Sequence, residues 1–146
     1  MRRTLKYRLR SPLGGLAADL SARVGPAGET PVPFVRIHRG VRLLLPESGL
    51  YWEDLAWLSF ALSLRSEELR ARTPGGVCIE ITSLDFPLSD YRPEVAGVAM
   101  DGWLRAEFDL PDIGIGCRYS GEADPYAFSW GGAKAPLPRP RPQGGR

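Results

Sequence analysis

The segment 82–91 carries the side chains with the clearest potential for chemistry. It contains two carboxylates, Asp85 and Asp90, and two aromatic rings, Phe86 and Tyr91. Two carboxylates can divide the roles of general acid and general base when burial separates their pKa values. The segment leaves a predicted strand and enters a predicted helix, where α/β proteins often place their sites. An ordinary structural role explains the same residues, with Asp90 capping the helix and Phe86 filling the core.

Other residue types give little support to catalysis. His38 is the only histidine, and the two cysteines, Cys78 and Cys117, form no paired motif with it or with each other. No nucleophile motif, phosphate-binding loop or dinucleotide fingerprint occurs. Six acids expected in loops have the oxygen atoms that hard metals prefer, but their spacing fits no EF-hand. These acids are Asp85, Asp90, Asp109, Asp112, Glu122 and Asp124. We therefore predict no catalytic residues, no cofactor and no metal site.

The net charge of +2 conceals an uneven distribution. Residues 1–10 carry five cations and residues 131–146 carry four, with no acid in either segment. All 17 acids lie between them, and segment 73–130 has ten acids against three arginines. Such a segment attracts a basic partner. Acids that serve only solubility would give the same pattern.

The segment 51–71 predicts a helix that is unusually apolar in its first half. Glu53 and Asp54 fall in its first turn, where the helix dipole favours acids. Trp52 and Trp57 belong to an apolar run that extends almost all round the helix. A surface helix needs only one apolar stripe. This helix is therefore either central in the fold or covered by a partner.

The remaining pattern predicts the α+β class. Segment 16–24 fits a strand and a helix, and the short turn before it favours a strand. A second helix is expected at about 91–108. Further strands are predicted from alternating polarity at 4–10, 34–38, 41–45, 77–82, 113–119 and 126–130. We predict a mostly antiparallel sheet of about five to seven strands with two helices packed on one face, forming one domain over residues 1–130. Segment 131–146, rich in Pro, Gly and Arg, is expected to be a disordered tail.

Three functions fit these observations. The first is a non-catalytic protein-interaction domain, of an immunity-like or accessory kind, that binds a basic partner through the acidic C-terminal half. Its candidate contact residues are Asp85, Phe86, Asp90, Tyr91, Trp52, Trp57, Glu122 and Asp124. The second is a small enzyme or ligand-binding fold that uses the 82–91 loop. The third is an RNA- or ribosome-associated factor that uses the basic termini, and the oligomeric state stays open.

Composition also predicts a source and a compartment. Arginine is abundant and asparagine is absent, which is typical of a GC-rich bacterial genome such as that of an actinomycete. The N-terminus is charged and lacks the apolar stretch of a signal peptide. No run of about 18 apolar residues occurs, so we expect a cytoplasmic protein without a membrane partner.

Overall fold

The computed structural model describes residues 1–25, 34–87 and 89–135. Within them the backbone forms seven strands and three helices. In chain order these are β1 (Arg2–Leu9), β2 (Leu16–Gly25), β3 (Phe34–His38), β4 (Val41–Leu44), α1 (Trp52–Leu64), α2 (Ser66–Arg72), β5 (Val77–Asp85), α3 (Glu94–Phe108), β6 (Ile115–Tyr119) and β7 (Tyr126–Trp130). The predicted α+β class is confirmed, and so is the mostly antiparallel sheet. Of the expected tail at 131–146, residues 131–135 are exposed and belong to no strand or helix, and residues 136–146 lie outside the described residues.

A five-stranded sheet of order β1-β2-β5-β4-β3 forms the base of the fold. Two hairpins, β1–β2 and β3–β4, lie on either side of β5, and only the β4–β5 pair is parallel. The β1–β2 turn requires glycine at position 15, because its φ is +119° and a Cβ there would lie 2.1 Å from the carbonyl oxygen of Leu9. The segment 16–24, which fitted both a strand and a helix, is a strand, because β2 pairs with β1 on one side and with β5 on the other.

The three helices pack on one face of this sheet. Leu5 of β1 contacts Gly102 of α3, and the indole nitrogen of Trp103 donates a hydrogen bond to the carbonyl oxygen of Arg3 at 3.0 Å. The single helix predicted at 51–71 is in fact two helices, α1 and α2, which are separated at Arg65. No described helix is long and apolar enough to cross a membrane.

The last two strands do not join the main sheet, although their alternation predicted strands correctly. They form a separate hairpin that packs against the helices. Trp130 of β7 stacks on Trp57 of α1 with ring centroids 5.1 Å apart. Gly97 of α3 permits this approach, since a Cβ there would lie 2.9 Å from the Trp130 ring. The helices thus form a middle layer, and α1 is apolar on several sides because it is central.

The break between α1 and α2 contains a buried ion pair. The Arg65 side chain is fully buried, and its Nε donates to Asp101 of α3 at 2.7 Å. Its other nitrogens donate to Glu68 at 2.9 Å and to the carbonyl oxygen of Pro111 at 2.7 Å. Burial lowers the pKa of Arg65, but the hydrogen bonds to the two carboxylates outweigh it and raise the pKa above its usual value. The cluster ties both helical segments to α3 and to the chain that follows it.

Candidate binding site

A groove of about 490 Å³ lies where β5 ends and α1 begins. The short loop after β4 forms one side, and the first turn of α1 and the segment after β5 form the others. Its lining residues are Ser48, Gly49, Leu50, Tyr51, Asp54, Leu84, Phe86 and Tyr91. We call this feature the Tyr91 groove. Its volume is within the range of sites that bind small molecules or single side chains of a partner.

A buried carboxylate is the chemical centre of the Tyr91 groove. Asp54 is only 4% exposed, and it accepts a hydrogen bond of 2.8 Å from the Tyr91 hydroxyl. Burial raises the pKa of Asp54 above its ordinary value, although the bond from Tyr91 lowers it. No Lys, Arg or His among the described residues forms an ion pair with Asp54. Among the residues that the structure describes, the Asp54 carboxylate therefore has no cationic partner.

Aromatic rings form much of the wall around this carboxylate. Phe86 and Tyr91 meet edge to face, with centroids 5.2 Å apart and planes at 80°. Tyr51 is 78% exposed and its neighbour Trp52 is 66% exposed, which is unusual for rings of this size. Such rings offer negative faces to a cation and apolar area to the chain that carries it.

Further acids lie close to the Tyr91 groove. Burial, the hydrogen bond to Asp54 and the negative charges nearby raise the pKa of the Tyr91 hydroxyl well above its usual range. The acids responsible include Glu53 of α1 and Glu94, which opens α3. Tyr91 therefore stays protonated at neutral pH and continues to donate its hydrogen bond.

The predicted 82–91 site is only partly assembled. Phe86 and Tyr91 line the groove, whereas Asp85 and Asp90 are exposed and do not line it. Asp85 ends β5 opposite Asp19 of β2. The expectation that Asp90 caps the helix is wrong, because α3 begins at Glu94 with Pro93 as its N-cap residue and no side-chain cap.

The two tryptophans predicted as contact residues separate. Trp52 is exposed at the start of α1, beside the groove. Trp57 is 4% exposed and stacks on Trp130, so it belongs to the core. The apolar run around Trp57 fitted either a core or an interface with a partner. It is explained by the β6–β7 hairpin, which packs on α1.

Glu122 and Asp124 do not line the groove and lie in the turn between β6 and β7. Glu122 is exposed, and Asp124 forms an ion pair with Arg92 at 3.4 Å. Several other acids of segment 73–130 are also paired with arginines. The pairs are Glu80 with Arg23, Asp101 with Arg65, Glu107 with Arg3 and Asp112 with Arg105. Half of the acids in this segment therefore have a cationic neighbour within the fold.

The remaining candidates for chemistry have ordinary contacts. His38 lies 2.9 Å from Glu67 and 3.5 Å from Arg70, and neither Cys78 nor Cys117 forms a disulfide. Among the residues that the structure describes, no three His, Cys, Asp or Glu side chains are placed to share a metal ion. No family model, curated protein or solved structure matches this chain.

Sequence reasoning missed Asp54 as a site residue. The helix dipole already explains an acid in the first turn of a helix, so the position of Asp54 did not indicate a binding role. The signal that could have found it is the density of large rings around it in sequence, because Tyr51, Trp52 and the acids 53–54 form one short run.

Proposed function

We propose that the protein is a non-catalytic interaction domain that binds a basic segment of a partner protein in the Tyr91 groove. The observation that carries this proposal is the buried Asp54 carboxylate, which lines an aromatic groove and pairs with no described cation. A lysine or arginine side chain would complete this site, since its charge would meet Asp54 and its stem would pack on the rings.

The local charge favours the same partner. Glu53 and Glu94 are near enough to act on Tyr91, so the acids around the groove add to the attraction of Asp54. Complementary potentials of this kind speed association and exclude acidic partners. The proposal keeps the basic partner expected from composition but moves its site from the whole acidic half to one groove.

The test measures binding of a fluorescein-labelled hexalysine peptide by fluorescence anisotropy. Asp54→Asn keeps the shape of the side chain and its acceptor oxygen for Tyr91 while it removes the charge. We expect this variant to bind about tenfold more weakly, which corresponds to about 1.4 kcal/mol. Glu122→Gln is the matched control, because it removes one charge from an exposed position in the β6–β7 turn.

The two variants separate the groove from general acidity. Weaker binding in Asp54→Asn alone supports the groove. Equal loss in both variants would show that the peptide responds to overall charge, and no loss in either would show that the Asp54 charge does not contribute. With either result the proposal would be abandoned.

A second candidate function is the binding of a small amine. It is favoured by the groove volume of about 490 Å³, which suits a small ligand with one cationic group. Butylammonium distinguishes the two, because a small-amine site would bind it about as tightly as hexalysine. An interaction surface would bind the peptide much more tightly, through its additional charges.

A further inference from the structure

The sheet has a second face that the helices do not cover. Strand residues alternate between faces, and Leu5, Tyr7 and Leu9 of β1 point toward the helices. Their neighbours Thr4, Lys6 and Arg8 are exposed on the opposite side. Cross-strand pairing extends that side through Ser21, Asp19 and Ala17 of β2. We call this side the open face.

Cations outnumber acids on the open face. The register places on it the cations Arg2, Lys6, Arg8, Arg23, Arg36 and Arg42, and the acids Asp19, Glu80 and Asp85. Two of these three acids are already paired, Asp19 with Arg8 at 2.9 Å and Glu80 with Arg23 through two hydrogen bonds of 2.9 and 3.0 Å. The open face therefore has a positive excess that its own acids do not balance.

Two arginines on this face stand directly opposite each other. Arg36 of β3 and Arg42 of β4 are cross-strand partners. Like charges placed directly opposite each other destabilise a sheet. The Arg42 guanidinium lies over the ring of Phe34, 4.6 Å from its centroid, and Phe34 is 36% exposed. An exposed ring with a guanidinium over it, and with Arg36 two residues further along the same strand, is a suitable place for a nucleobase and its phosphate.

We propose that the open face binds single-stranded nucleic acid. Arg2 and Lys6 are four residues apart on an extended strand, so their side chains emerge about 13 Å apart. This spacing is comparable to two phosphate-to-phosphate steps of an extended strand. The cations of β1, together with Arg36 of β3 and Arg42 of β4, then hold the phosphates, and Phe34 stacks one base. This proposal does not depend on the Tyr91 groove, which lies beyond the end of β5.

The experiment uses the full chain and a fluorescein-labelled strand of twelve thymidines, with anisotropy measured from 50 to 200 mM salt. If Arg2, Lys6 and Arg36 each contact one phosphate, the affinity should fall about twentyfold over this range, since each contact contributes about 0.7 to the logarithmic salt slope. Lys6→Gln and Arg36→Gln should each lower that slope by about 0.7. Phe34→Ala should weaken binding about fivefold or more through lost stacking.

Arg118→Gln is the matched control, because Arg118 is an exposed arginine on the separate β6–β7 hairpin. Arg36→Gln also separates binding from folding. It removes a like-charge pair, so the variant should melt at the same temperature as the parent protein or higher while it binds more weakly. Unchanged binding in both Lys6→Gln and Arg36→Gln would overturn the proposal. So would equal displacement of the strand by polyglutamate of the same charge, because the open face would then be a general anion surface.

Discussion

Removing the charge of Asp101 should test whether the buried ion pair holds the helical layer together. Asp101→Asn keeps the size of the side chain but leaves the Arg65 guanidinium without its main counter-ion. Arginine cannot lose its proton at accessible pH, so the charge stays in the interior. Breaking one partner of a buried pair costs about 3–5 kcal/mol. We expect about 3 kcal/mol here, the lower end, because Glu68 and the Pro111 carbonyl still accept from Arg65.

Urea unfolding followed by tryptophan fluorescence measures this loss directly. In a chain of this size, 3 kcal/mol corresponds to a fall in Tm of about 6–12 °C. Glu107→Gln is the control on the same helix, since its ion pair with Arg3 is solvent-exposed and worth at most about 1 kcal/mol. The double variant Arg65→Met with Asp101→Leu should be neutral or stabilising, because apolar residues of similar size remove the desolvation cost. If Asp101→Asn costs no more than Glu107→Gln, the reasoning about this cluster is refuted.

Three further predictions address other contacts. Because burial raises the pKa of Asp54 above its ordinary value, its stability contribution is fully present below that ordinary value and is lost as pH rises through the folded-state pKa. The free energy of unfolding of Asp54→Asn, measured by urea titration relative to the parent protein, should therefore be higher at pH 7 than at pH 4. An unchanged difference between the two pH values would contradict this. Trp130→Ala should cost about 3–5 kcal/mol by the same method, against under 1 kcal/mol for the exposed Ile113→Ala. Gly15→Ala should lower Tm much more than Gly14→Ala, since both have positive φ but only at Gly15 would a Cβ strike backbone; equal shifts would mean that strain alone decides.

The fold was predictable where its signals are local. Alternating polarity located every strand to within a few residues, because the side-chain period of a strand depends only on neighbouring residues. Which strands pair is a non-local property, and the separate β6–β7 hairpin did not follow from alternation. The stacking of Trp130 on Trp57 joins residues far apart in sequence, so the apolar first half of α1 fitted both core and interface.

The same limit applied to the charged residues. Arg65, near the end of a predicted helix, has an ordinary explanation as a solvated cation, yet its partner Asp101 lies 36 residues later and both are buried. In the 82–91 segment, Phe86 directly follows β5 and Tyr91 comes before α3, so chain order alone places both near the end of that strand. The carboxylate of the groove came from α1, which only the tertiary fold brings to the end of β5.

The central place of β5 has a consequence for how this chain is made. Within the described residues β5 is the strand that joins the two hairpins, and it begins roughly fifty residues after β2 ends. At translation rates of about 5–20 residues per second, β2 waits about 3–10 s on the ribosome before its second neighbour exists. During that interval its free edge is open to other nascent chains. We expect the five cations of residues 1–10, a segment without acids, to disfavour pairing with an identical hairpin on a neighbouring ribosome, because like charges repel.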